Sequence, residues 1–157
     1  RFPDTLVQFV GTYKKVIGEE QYFERLKPEI DRFQASGHWQ FLGELDPKQM
    51  AMFYPNLDVL TVPSLNSTEA FGLVQIEAMM NGIPCVTSNL PGVRKPVQNH
   101  GMGEIFPIGD AQAMAQSLIR VLESKTVKTD KFGFSCYRPD DIAQQYEELF
   151  SEIMHTI

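Results

Sequence analysis

The sequence predicts an α/β protein, a parallel-sheet α/β/α sandwich of the Rossmann-like kind. Short apolar segments rich in β-branched residues alternate along the chain with longer segments whose apolar residues recur at helical spacing. The chain has 157 residues, of which 43% are hydrophobic, and this size suits one α/β domain with a substantial core. We therefore expect residues 1–157 to form a single domain, with ligand-binding loops at the carboxyl ends of its strands.

The predicted elements follow one another in a regular order. Strands are expected over residues 5–11, 38–42, 57–62, 83–88 and 104–109. Helices are expected over residues 19–35, 46–54, 72–80, 110–122 and 139–153. Asp46 and Asp110 are candidate N-caps, and Pro107 marks the last strand as an edge strand. Residues 124–135 are polar and rich in lysine, which is typical of a connecting loop.

The central feature is the segment 57–82, in which a buried strand, a loop and a helix follow one another. The helix has an apolar arc that consists of Leu73, Val74, Ile76 and Met80. Glu77 lies on the helical wheel between two members of this arc, so we expect it to point along the buried face. A buried carboxylate needs a strong donor, such as ligand hydroxyls, a basic residue or backbone amides. The alternative is a solvent-facing carboxylate that the helix dipole favours.

Residues 69–86 read EAFGLVQIEAMMNGIPCV, with seven residues between Glu69 and Glu77. This segment resembles the retaining GT-B glycosyltransferases of family 4, whose pattern is E-x7-E followed by E-A-x-x-x-G-x-P-V-V. The resemblance covers nearly the whole chain, from residue 5 to about residue 154. It implies the C-terminal, nucleotide-sugar-binding lobe of an enzyme that moves a hexose from a nucleotide diphosphate sugar to an acceptor with retention of anomeric configuration.

The resemblance also implies a role for each matching residue. Glu69 would hydrogen-bond the hydroxyls of the donor hexose, and Glu77 would hold the two ribose hydroxyls. Backbone amides at the start of the helix would meet the phosphates and the sugar. The implied donor-binding set is Glu69, Ala70, Phe71, Gly72, Leu73 and Glu77, with Glu69 as the catalytic residue. The family uses positioning and electrostatic stabilisation, so no metal and no cofactor besides the substrate is expected.

The family pattern is incomplete in this chain. In the family, the donor lobe begins with a further β-α unit that carries an arginine and a lysine for the pyrophosphate, and a separate N-terminal lobe binds the acceptor. Neither precedes Arg1, so the resemblance implies a lobe fragment that is inactive alone and whose partners are the donor and the acceptor lobe. The family's terminal helix commonly leans across to the other lobe. Part of the apolar stripe on the last helix is therefore expected to be exposed.

Charge and cysteine content restrict the kind of partner and the cellular compartment that we expect for the protein. The net charge is −6 and the isoelectric point is near 5.0, which argues against a nucleic-acid partner. Cys85 and Cys136 are expected to be free thiols, as in a cytoplasmic protein. The sequence contains no apolar run near 18 residues and no signal-peptide pattern. A cytoplasmic location is expected, and peripheral membrane contact through another part of the protein stays open.

Two other functions remain as alternatives. A catalytically silent nucleotide-sugar-binding or regulatory subunit would keep the fold and the pocket but lack the cations. A flavodoxin-like or dinucleotide-binding domain fits less well, because no G-x-G-x-x-G follows a strand.

Some side chains near the motifs are expected to have no role in binding. Arg94 and Lys95 stand where family members usually carry paired glycines, and we expect an exposed basic pair. His100 lies among turn residues and is expected to be an exposed imidazole. Trp39 and Phe41 alternate with polar neighbours, which indicates core packing.

Overall fold

The structure is a computed structural model that describes residues 2–14, 16–124 and 133–155. Its strands pair in parallel and alternate with helices, which confirms the parallel-sheet α/β, Rossmann-like fold. The chain divides into two compact units, Arg1–Met52 and Phe53–Ile157. The expectation of one domain over residues 1–157 stays a prediction.

The first unit is built around a parallel strand pair. Strand β1 (Val7–Val10) pairs with β2 (Trp39–Gly43), and helix α1 (Glu20–Ala35) connects them. Aromatic rings pack together at this pair: Tyr13 stacks on Phe41 with 3.9 Å between ring centroids, and Trp39 meets Phe41 edge to face. Trp39 and Phe41 thus pack as the sequence predicts.

Helix α2 (Pro47–Phe53) follows β2 and begins with the predicted cap. The Asp46 carboxylate accepts the backbone N–H of Gln49 at 2.9 Å, and the Gln49 side chain accepts the backbone N–H of Asp46 at 2.8 Å. This reciprocal pair satisfies two amides that the helix itself cannot bond.

The second unit contains a three-stranded sheet in the order β3-β4-β5. The strands are β3 (Leu60–Val62), β4 (Cys85–Ser88) and β5 (Gly103–Phe106), and β5 is an edge strand as predicted. The helices are α3 (Leu73–Met80), α4 (Lys95–His100), α5 (Ala111–Ser124) and α6 (Pro139–His155). Asp110 caps α5, since its carboxylate accepts the N–H of Ala113 at 2.9 Å.

The central strand β4 is the most deeply buried element of this sheet. All four of its residues are buried, and Cys85 and Val86 have no exposed surface. Burial raises the pKa of the Cys85 thiol to about 12, so this cysteine stays protonated and unreactive. Both Cys85 and Cys136 are free thiols, as the composition predicts.

Helix α6 carries the predicted apolar stripe on an open face. No residue of α6 is buried, and its stripe residues are each at least 38% exposed: Ile142, Tyr146, Leu149, Phe150 and Ile153. Within the described residues, no helix is both long and apolar enough to span a membrane. The predicted polar loop over residues 124–135 lies mostly outside the described residues.

Candidate functional site

The candidate site lies where the chain leaves β3 and enters α3. Gly72 is the residue before the helix and has a φ of +77°, a backbone conformation that residues with a Cβ rarely adopt. A Cβ at this position would also lie 2.6 Å from the Gln75 side-chain nitrogen. The glycine therefore lets the loop enter the helix directly, and the first backbone amides of α3 lack carbonyl partners within the helix.

Glu69 already interacts with some of these amides. Its Oε1 accepts the backbone N–H of Gly72 at 2.9 Å and that of Phe71 at 3.4 Å. The half-buried carboxylate thus lies at the positive end of the α3 dipole. The amides of Leu73 and Val74 belong to the first turn, where the helix supplies no carbonyl partner. Glu69 is thereby close to the amides that the resemblance assigns to the phosphates and sugar.

The expectation that Glu77 points along the buried face is wrong. Glu77 is exposed, and so are three of the four members of the predicted apolar arc: Leu73 at 66%, Val74 at 39% and Met80 at 61%. The buried side of α3 instead consists of Gln75, Ile76, Ala78 and Met79. The cause is Gln75, which a hydrophobicity pattern assigns to solvent but which has buried carbonyl groups to bond.

Glu77 has a donor that the sequence did not indicate. The Tyr54 hydroxyl donates a hydrogen bond to Glu77 Oε2 at 2.5 Å, across 23 positions of the chain. Tyr54 is only 4% exposed, and burial together with this hydrogen bond raises the pKa of its hydroxyl. The hydroxyl therefore remains protonated and remains a donor. The sequence predicts a strong donor for a buried Glu77, but no local pattern connects this residue to Tyr54.

Gln75 and Gly92 join the loops that follow β3 and β4. The Gln75 amide has no exposed surface and donates to the carbonyl of Val93 at 2.8 Å and to that of Phe71 at 3.3 Å. A Cβ placed on Gly92 would lie 1.7 Å from the Ala70 carbonyl oxygen, so the two backbones are in direct contact. The segment that departs from the family's paired glycines thus still supplies one essential glycine.

His100 is buried, contrary to the sequence expectation. It is 1% exposed, its Nε2 lies 2.9 Å from the Tyr137 hydroxyl, and its ring stacks on Phe134. Tyr137 also approaches Phe71, with 6.3 Å between ring centroids. His100 is the last residue of α4, and the chain after α5 returns to cover its side chain. A local pattern could not show that distant contact.

The predicted basic pair is only partly exposed. Lys95 is exposed as expected, whereas Arg94 is half-buried and donates from Nη1 to the Asn89 side chain at 2.9 Å. The prediction is therefore wrong for Arg94, because the turn before α4 provides it with a hydrogen-bond acceptor.

The geometry brings together groups of complementary chemistry. An exposed carboxylate on α3, Glu77, can accept hydrogen bonds from ligand hydroxyls. Glu69 and the first amides of α3 lie toward the amino end of the same helix, where an anionic group is stabilised. Such a site suits a ligand that carries hydroxyl groups on both sides of a phosphate.

Similarity to known proteins agrees with this geometry. A family profile described as Glycosyl transferases group 1 matches residues 2–133. The chain is 32% identical over 128 residues to the phosphatidyl-myo-inositol mannosyltransferase of Mycolicibacterium smegmatis, covering 82% of this chain and 30% of that protein. The chain therefore spans less than a third of the length of this relative.

Solved structures show the same fold. Sucrose-phosphate synthase from Thermosynechococcus elongatus superimposes with a TM-score of 0.73 at 25% identity, over 96% of this chain and 39% of the other. Anabaena HepE in complex with UDP superimposes with a TM-score of 0.70 at 24% identity, over 94% and 41%. The fold is that of a GT-B C-terminal domain, and the chain belongs to the group 1 glycosyltransferase family.

Proposed function

We propose that residues 1–157 form the donor-binding lobe of a retaining, family 4-type glycosyltransferase. The whole protein would transfer a hexose from a nucleotide diphosphate sugar to an acceptor bound by a separate lobe. The observation that carries the proposal is the placement of Glu77, exposed on α3 and hydrogen-bonded by Tyr54, on the helix whose amino end meets Glu69. The occurrence of UDP in the HepE complex supports a nucleotide donor.

Each group would have a distinct task. Glu77 would accept hydrogen bonds from the ribose hydroxyls, and the amides of the first turn of α3 would bind the diphosphate. Glu69 would leave the amides of Phe71 and Gly72 and accept hydrogen bonds from hexose hydroxyls. As the sugar-phosphate bond breaks, negative charge grows on the diphosphate, and the α3 amides stabilise it without a metal ion.

The rest of the reaction depends on parts outside this chain. The acceptor would attack from the face of the hexose that the diphosphate leaves, and this gives retention. Cations from a further β-α unit would share the charge of the leaving group. We therefore expect this chain alone to bind nucleotides weakly and to catalyse no transfer, in a protein that acts in the cytoplasm.

Glu77→Gln is expected to weaken UDP binding by about tenfold or more. A hydrogen bond to a charged group contributes roughly 1.5–3 kcal/mol, and the substitution replaces the carboxylate with a neutral amide of the same shape. Calorimetric or NMR titration with UDP and GDP measures the effect. Glu147→Gln is the matched control, because it removes an equal charge from the exposed surface of α6. Unchanged affinity in Glu77→Gln would contradict the ribose contact.

Glu69→Ala is expected to separate sugar recognition from nucleotide recognition. Affinity for UDP alone should stay within about threefold of that of the unchanged chain. Affinity for the nucleotide sugar should fall by about tenfold, because the lost contacts are to the hexose. Glu69→Gln keeps an oxygen acceptor for the Gly72 amide and so tests whether loop geometry alone explains the loss. Equal losses for UDP and for the nucleotide sugar would rule out the assigned role.

A further inference from the structure

Tyr54 belongs to a rigid part of the second unit. It begins a 3-10 turn, Tyr54–Asn56, that contains Pro55 and is closed by a hydrogen bond from the N–H of Leu57 to the carbonyl of Tyr54 at 3.0 Å. The turn packs against α3. Because the ring is buried and Pro55 restricts the backbone, the position of the hydroxyl is restricted.

Glu77, by contrast, is an exposed side chain with several rotatable bonds. Without a partner it would sample several rotamers, and a ligand would have to select one of them at an entropic cost. The hydrogen bond from Tyr54 engages Oε2, and Oε1 accepts no hydrogen bond from the residues that the structure describes. The buried Tyr54 hydroxyl thus restricts the Glu77 carboxylate and leaves Oε1 to accept hydrogen bonds from a ligand.

We propose that Tyr54 is a positioning residue that orients Glu77 to receive the two neighbouring hydroxyls of a ribose ring. This inference rests on the proposed function, since it assigns to Tyr54 the preorganisation of the nucleotide contact. In this proposal Tyr54 acts through its hydrogen bond to Glu77 and not by contact with the ligand. Its contribution is to fix the direction of Oε1 before the nucleotide arrives, which raises affinity for nucleotides that carry both hydroxyls.

The test is Tyr54→Phe, which removes one oxygen atom and keeps the buried ring. The expected result is about fivefold weaker binding of UDP, measured by NMR titration of the chain, because a positioned hydrogen bond is lost. Binding of 2′,3′-dideoxyuridine diphosphate, which has no ribose hydroxyls, should be unchanged. Tyr146→Phe removes the same atom from an exposed ring on α6 and should leave both affinities unchanged.

Two outcomes would overturn the proposal. One is unchanged UDP affinity in Tyr54→Phe, and the other is an equal loss for UDP and the dideoxy nucleotide, which would mean that Tyr54 acts on the fold of the site. A double variant, Tyr54→Phe with Glu77→Gln, should bind UDP no more weakly than Glu77→Gln alone. If Glu77→Gln by itself left UDP affinity intact, the ribose contact of the proposed function would be the part that fails.

Discussion

Gly103→Ala is expected to lower the free energy of unfolding of the second unit by about 3–5 kcal/mol. Gly103 opens strand β5 with a φ of +136°, and a Cβ there would lie 1.8 Å from the Cys85 carbonyl oxygen. Gly103 is the register partner of Cys85 in the fully buried β4, so relief of this contact would displace the paired strands. Urea denaturation followed through the amide NMR signals of β4 measures the loss.

The matched control is Gly109→Ala. Gly109 also has a positive φ, +75°, but a Cβ there would meet nothing within 4 Å. That variant should lose only about 1 kcal/mol, the cost of the backbone conformation alone. Similar losses in the two variants would show that the contact with Cys85 does not limit the sheet.

Gly92→Ala is expected to weaken nucleotide-sugar binding by more than tenfold. Its Cβ would lie 1.7 Å from the Ala70 carbonyl oxygen, so the two loops would have to separate by about an ångström or more. This movement would stretch the hydrogen bonds from Gln75 and shift the loop that carries Glu69. Displacements of about 1 Å can cost roughly a hundredfold in catalysis, since productive geometry is narrow. Titration with the nucleotide sugar, beside UDP alone, measures the change.

Gly101→Ala provides the comparison for this variant. Gly101 ends α4 with a φ of +67°, and a Cβ there would meet nothing within 4 Å. Gly101→Ala should lower the free energy of unfolding but leave the affinity of the folded protein for the nucleotide sugar unchanged. If Gly92→Ala bound the nucleotide sugar as tightly as Gly101→Ala, the contact between the loops would have no part in binding.

Most elements of the fold could be predicted from the sequence because they depend on local periodicity. Helix α4 (Lys95–His100) was not predicted, since the residues around His100 look like a turn. The caps at Asp46 and Asp110 and the alternation of strands with helices follow from residues near one another in the chain. Strand boundaries differ by a few residues, as at β3, which begins at Leu60 and not at residue 57. Pairing with β4 determines that boundary, and pairing is a long-range property.

The site was predictable only in part, for the same reason. The motif identifies Glu69 and Glu77, but the buried side of α3 depends on Gln75 finding carbonyl partners in two loops. Tyr54 and Tyr137 reach Glu77 and His100 from distant positions in the chain. A polar residue whose partners are nonlocal looks like a surface residue in any window of sequence.

The hydrogen bonds from the Phe71 and Gly72 amides to Glu69 make this carboxylate an internal competitor for anions. A small anion such as inorganic phosphate would have to displace a negative group that is covalently tethered and therefore present at high effective concentration. In the proposed function a sugar nucleotide would differ, because its hydroxyls would offer the displaced carboxylate new hydrogen bonds. If the proposed function holds, the resting loop would therefore favour a nucleotide sugar over small free anions such as inorganic phosphate.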